Sequence, residues 1–189
     1  MTLENLIITY GYPVVFVGTF LEGETVLILG SLAAHLGYLH FPQVAGTAFA
    51  GSLLGDQLAF YLGRSSGDRM LEKWPGLKAR VLKIHSRTAR YRSWIVLAFR
   101  FFYGFRNLVP FTLGMSSITY QKFFALNALG AALWVVTIGT GGFLFGKAME
   151  AALGNVRHYE VEIMAVIAAA GLISWLIHLF RARRTLRSL

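Results

Sequence analysis

Polar and apolar positions fall along this chain in blocks too long for a soluble fold. Residues 25–55, 123–146 and 163–180 contain no Asp, Glu, Lys or Arg, and a helix that crosses a bilayer takes about 20 mostly apolar residues. The pattern predicts an all-α polytopic membrane protein. A further apolar stretch, 93–118, is interrupted by Arg100, Gly104, Arg106, Pro110 and Gly114, residues that weaken or break a continuous helix. Irregular backbone at membrane depth is tolerated only inside protein or beside a water-filled cavity. This stretch is therefore predicted to be a re-entrant hairpin, with a kinked full span as the alternative.

The first half reads as the same plan turned over. Glu22-Gly23-Glu24 breaks the apolar sequence, an apolar stretch follows to Tyr38, and a span is predicted from Pro42 to Gly63. Shifting the sequence by about 79 positions pairs Phe41 with Tyr120 and Gly51 with Gly130, a weak internal similarity of the kind seen in inverted-repeat transporters. The expected organisation is one membrane domain over 1–189. It comprises a first half with an acidic hairpin and span (1–63), a basic loop (64–92), a second half with an arginine hairpin and span (93–146), a last transmembrane helix (163–180) and a basic tail (181–189). Two small-xxx-small pairs, Gly51/Gly55 and Gly142/Gly146, are read as helix-packing sites.

Charge adds direction to this plan. The chain is 56% hydrophobic and 14% charged with a formal net charge of +9, whereas soluble chains carry about 25% charged residues. Nine of the 18 basic residues lie between Arg64 and Arg92, and Arg181, Arg183, Arg184 and Arg187 close the sequence. Both clusters flank apolar runs, the positive-inside pattern of cytoplasmic loops, so no nucleic-acid partner is expected. Residues 1–21 hold Glu4 and no Lys or Arg, unlike the basic start of a cleavable signal; this segment is expected in the mature protein. The side on which the N-terminus lies is left open. There is no cysteine, hence no thiol chemistry.

Five charges stand where a lipid-facing surface does not tolerate them: Glu22, Glu24, Asp56, Arg100 and Arg106. Each such residue at a helix centre costs roughly 2.5–3.5 kcal/mol on insertion scales. They must pair or line an aqueous cavity. One reading is a set of structural ion pairs. The other starts from the count of three carboxylates to two guanidiniums, which leaves one carboxylate as a candidate proton carrier. Arg100 and Arg106 point about 120° apart on an unbroken helix, but a break at Gly104 lets them converge. Convergent guanidiniums offer forked donors to phosphate or carboxylate oxygens, and a lipid headgroup has direct access to such a site.

These residues resemble a known family. Arg100-Phe101-Phe102-Tyr103-Gly104-Phe105-Arg106, followed by Pro110 and Gly114-Met115, is similar to the arginine motif of the DedA family of membrane proteins (VTT, or SNARE-associated, domain). Phe20-Leu21-Glu22-Gly23-Glu24 resembles its first acidic element, and Gly51-Ser52-Leu53-Leu54-Gly55-Asp56, running on to Arg64, its second. The chain departs from the pattern at Tyr103, where members often carry proline, and at Glu22, where they have a Pro-Gly-acid turn. The resemblance, over about residues 10–150, implies two oppositely oriented re-entrant hairpins and transbilayer movement of lipid in a bacterial inner membrane. It implies undecaprenyl phosphate or a phospholipid such as phosphatidylethanolamine as substrate, with proton dependence in some members. It also implies that Glu22 or Glu24, Asp56, Arg100 and Arg106 are the essential positions.

The remaining signals are weaker. Leu77, Val81, Ile84, Thr88 and Tyr91, with basic residues between them, suit an interfacial helix on anionic headgroups. His35 and His40 bracket the first hairpin's outer end. No metal-ligand spacing, phosphate loop or nucleophile elbow is present, so neither metal, cofactor nor enzymatic activity is expected. The expected function is lipid transport, flippase- or scramblase-like. Arg100 and Arg106 hold the phosphate, Glu22, Glu24 and Asp56 gate or carry protons, and Gly104, Pro110 and Gly114 shape the hairpin. The alternative is a proton-coupled antiporter of small ions or drugs. An intramembrane lipid phosphatase lacks a motif around His85 or His158, the loop histidines it would need.

Overall fold

The computed structural model describes residues 3–73, 96–97, 99–101, 106 and 108–153. Gly104, most of the basic loop with its amphipathic stretch, and the last transmembrane helix and tail expected at 163–189 lie outside the described residues, as do His85 and His158. Among the described residues every regular element is helical. These are α1 (Leu3–Leu21), α2 (Glu24–His35), α3 (Phe41–Lys73), a 3-10 turn (Phe99–Phe101), α4 (Leu108–Gly114), α5 (Tyr120–Trp134), a π-helical turn (Val135–Gly139) and α6 (Thr140–Leu153). The chain divides into two compact units. Among the described residues, one takes the chain up to Ser52 and from Leu133, and the other takes Leu53 to Ala132.

In the first unit α1 and α2 form an antiparallel pair. Gly18 lies against Val26, Gly30 against Val15, and Gly11 against Leu39, so partners advance along one helix as they retreat along the other. The turn between them is made at Gly23, whose φ of 111° is a backbone state that a side chain disfavours. Glu24 follows in the first turn of α2, where a carboxylate complements the helix dipole. With 12 residues, α2 is about 18 Å long, too short to cross a hydrocarbon core of about 30 Å alone. The core of this unit is Val15, Leu27, Ala33, Leu39, Val44, Ala48, Trp134 and Val135. The small pair Gly142/Gly146 does pack: a Cβ on Gly142 would lie 3.1 Å from Ser31 Cβ, and one on Gly146 2.8 Å from His35 Cδ2. Gly51 likewise meets the Phe16 backbone.

In the second unit α3 shows a two-faced sequence. Asp56, Phe60, Gly63 and Gly67 are buried, while Leu54, Leu58, Tyr61 and Leu62 are exposed. The buried set recurs at helical spacing, and its polar member points inward while leucines point out. This inverts the soluble pattern. The helix does not stop at Gly63 but runs on to Lys73, because Arg64 to Lys73 contains no proline and can continue the helix beyond the apolar span. The stretch expected to be broken is broken in its described parts: a 3-10 turn at 99–101, a turn at Arg106 and the seven-residue α4. Pro110 sits in the first turn of α4, where its missing N–H removes no helix bond. Phe60, Val96, Phe99, Val109, Leu113, Ile118 and Phe123 make the core, with Phe60 and Phe123 stacked at 4.1 Å.

From Tyr120 to Ala151 the chain is one helical run of 32 residues, by length and composition able to cross a membrane, and among the described residues it alone passes that test. Large apolar side chains lie on the outside. Leu129, Leu133, Val136 and Leu144 on this run, and Ile8, Val14, Val17 and Leu21 on α1, are all more than half exposed, an apolar exterior on these helices that suits lipid rather than water.

Candidate functional site

The site belongs to the second unit and is built on α3, the 3-10 turn, the turn before α4, and α5. Asp56 is carried inward on the buried face of α3 and is 2% exposed. Arg100, on the 3-10 turn, is fully buried, and Arg106 is 5% exposed. The Arg100 Nη2 group forms an ion pair with Asp56 Oδ2 and donates a hydrogen bond of 2.8 Å to Asn127 Oδ1. The Phe99 ring lies beneath the same guanidinium, 5.5 Å from its central carbon. Both arginines act electrostatically on Asp56. Both arginines are thus buried, and both act on one carboxylate.

A buried ion costs several kcal/mol of desolvation unless it is paired and hydrogen-bonded, which explains why Asp56, Arg100 and Asn127 are found together. Two buried amides have unused capacity among the described residues: Asn127 at the site, fully buried, has no partner for Nδ2, and Gln57, next to Asp56 in the chain and 8% exposed, has neither amide atom hydrogen-bonded. Cationic, donor-rich groups buried among phenylalanines and valines can bind an oxyanion with little competition from water. Among the described residues no three His, Asp or Glu side chains cluster as metal ligands do.

Of the other expected residues, Glu22 and Glu24 flank Gly23 at the α1–α2 turn of the first unit, both partly buried. Gly114 is a packing residue: it lies against the Phe60 backbone, as Gly63 lies against that of Phe111, and so brings α4 onto α3 beside the site. His35 Nε2 meets Glu150 Oε2 at 3.0 Å, and the backbone N–H of His40 donates to the Tyr12 hydroxyl at 3.0 Å. Sequence reasoning missed Asn127 and Gln57. For Asn127 a signal existed, since it is the one amide in the uncharged run 123–146.

Comparison with known proteins identifies the family. The model of the VTT domain matches residues 21–144, a range that contains all five charged positions and Asn127. The chain is 33% identical over 180 residues to the inner membrane protein YohD of Escherichia coli K12, covering 93% of this chain and 94% of that protein. It is 25% identical over 201 residues to the protein DedA of the same organism, covering 96% and 91%. A membrane protein of Bacillus subtilis, YbfM, is 26% identical over 155 residues, covering 76% and 96%. No solved structure matches the chain. With its helical units, apolar exterior and buried arginine–carboxylate cluster, the chain belongs to the VTT-domain family of membrane proteins, the DedA family.

Proposed function

We propose that this protein moves a phosphate-bearing lipid, undecaprenyl phosphate or a phospholipid, between the leaflets of a bacterial inner membrane. The observation that carries the reading is the burial of two arginines around one carboxylate, in a chain whose outer surface is apolar. Guanidiniums recognise phosphate oxygens through paired donors, and their burial in a lipid-facing protein suits a ligand that arrives from the membrane. In this reading Arg100 and Arg106 hold the headgroup, Asp56 competes for the arginines, and Glu22, Glu24 or Asp56 carries protons. No covalent bond is made or broken, so the protein is a transporter and not an enzyme. The two broken elements act as re-entrant hairpins of an inverted repeat. The basic loop and the tail face the cytoplasm, where anionic headgroups meet the loop. The name of the inner membrane protein YohD supports the location.

The test is movement of labelled undecaprenyl phosphate and phosphatidylethanolamine across proteoliposome membranes, with wild type and Arg106→Ala compared. Movement of one lipid that is lost in the variant supports the reading and identifies the substrate. No movement of either, with or without a pH gradient, overturns it in favour of a proton-coupled antiporter of small ions or drugs.

A further inference from the structure

Asn127 touches the site without contributing charge to it. Its Oδ1 accepts a hydrogen bond from Arg100 Nη2 at 2.8 Å, and the same nitrogen meets Asp56. One guanidinium nitrogen therefore has a charged partner on α3 and a neutral partner on α5. With Oδ1 turned to Arg100, the amide nitrogen of Asn127 points elsewhere, buried and without a hydrogen-bond partner among the described residues. An amide donor is rarely left in that state inside a protein, so helix packing alone is a poor reason for asparagine at this position.

Chemistry narrows the role. An aspartate at position 127 has the same shape and accepts the same hydrogen bond, but with Asp56 it would place two negative charges on Arg100. An anionic ligand would then compete against both. A leucine would fill the space and remove the hydrogen bond that reaches Arg100 from α5. An amide orients the guanidinium and leaves its charge in place. Asp56 of α3 pairs with Arg100 and Arg106 acts on the same carboxylate, so a second carboxylate on α5 would change the balance of charge at the site.

We propose that Asn127 is a positioning residue of the anion site, holding Arg100 through a neutral acceptor so that the guanidinium's charge stays available to a phosphate group. This rests on the reading that Arg100 and Arg106 bind a phosphate-bearing ligand. It adds a residue that sets the strength of that binding.

The full-length protein in neutral detergent is titrated with dodecyl phosphate and, separately, with inorganic phosphate. Binding is read as the rise in thermal stability with probe concentration. Wild type, Asn127→Asp and Asn127→Ala are each measured at neutral and at mildly acidic pH, and each variant is compared with wild type at the same pH. Asn127→Asp is expected to raise the half-saturating concentration of dodecyl phosphate about tenfold or more at neutral pH. It should return toward wild type in acid, as the introduced carboxyl is protonated. Asn127→Ala should weaken binding about tenfold at both pH values, because a hydrogen bond to a charged group is lost. Wild-type affinity in Asn127→Asp at neutral pH, or a loss that acid does not relieve, overturns the proposal. If that variant does not fold, unchanged affinity in Asn127→Ala overturns it alone. Stabilisation by dodecyl phosphate only assigns a lipid headgroup, and stabilisation by both probes assigns the phosphate group itself. Wild type that binds neither probe ends both this proposal and the headgroup reading. Wild type that binds but moves no lipid ends the transport reading and leaves this one standing.

Discussion

Arg100 meets Asp56 and Asn127 through the same terminal nitrogen, and the pair with Asp56 is buried. Removing one member of a buried ion pair leaves the other charge in a low-dielectric interior, at a cost of about 3–5 kcal/mol. Asp56→Ala is therefore expected to lower the stability of the detergent-solubilised protein by that order, measured by denaturant titration. Asp56→Ala combined with Arg100→Leu should recover much of the loss, because neither charge is then buried. A double variant no more stable than the single one would mean that Arg100 is held chiefly by other groups. The five charged residues were legible in the sequence for the same energetic reason: each is expensive in an apolar run and must have a partner or a role. Asn127 and Gln57 were not singled out. A neutral amide is tolerated more readily in a membrane helix and has many ordinary uses there. The hydrogen bond to Arg100 and the unpartnered amide nitrogen, both visible only in the fold, distinguish Asn127 from a packing residue.

Between elements, the tightest junction of the second unit is made without side chains. Gly63 on α3 and Gly114 on α4 each face the other helix's backbone, so α4 lies directly on α3 close to the charged cluster. Gly114→Ala should destabilise the protein by about 1–3 kcal/mol, the usual effect of overpacking, and should reduce transport by displacing the chain that carries Arg106. Gly141→Ala is the control: nothing lies within 4 Å of the added carbon, and alanine favours a helix by up to about 1 kcal/mol. Thermal denaturation of both variants decides the matter, and equal behaviour would contradict the role given to the α3–α4 junction. The interruption of 93–118 was readable from Arg100, Gly104, Arg106, Pro110 and Gly114 taken together. The length of α3 was not, because charge marks where a helix leaves the apolar region and says nothing of where the helix ends.

At the scale of the molecule, the absence of cysteine makes the membrane arrangement directly testable. Val136→Cys, at the middle of the 32-residue run and 64% exposed, should resist aqueous maleimide in native membranes and react once detergent removes the lipid. Lys83→Cys and Arg184→Cys should be labelled from the same side, the cytoplasmic one. Labelling from opposite sides would require an odd number of crossings between them and would remove the re-entrant hairpin at 93–118. Proton coupling is tested by replacing Glu22 and Glu24 with Gln and Asp56 with Asn, one at a time. If the pH dependence of transport survives all three replacements, none of these carboxylates is the carrier. The π-helical turn at Val135–Gly139 has a consequence for chain length. A π turn accommodates an extra residue within an α-helix, so the residues beyond it keep the helical face they would have without it. Gly142 and Gly146 face α2 from beyond this turn. Deleting one residue from the turn should therefore let the run close as plain α-helix with both glycines still against α2, whereas deleting one residue between the two glycines turns their faces about 100° apart. Transport should survive the first deletion and be lost in the second, and loss in both would mean that the turn itself is needed.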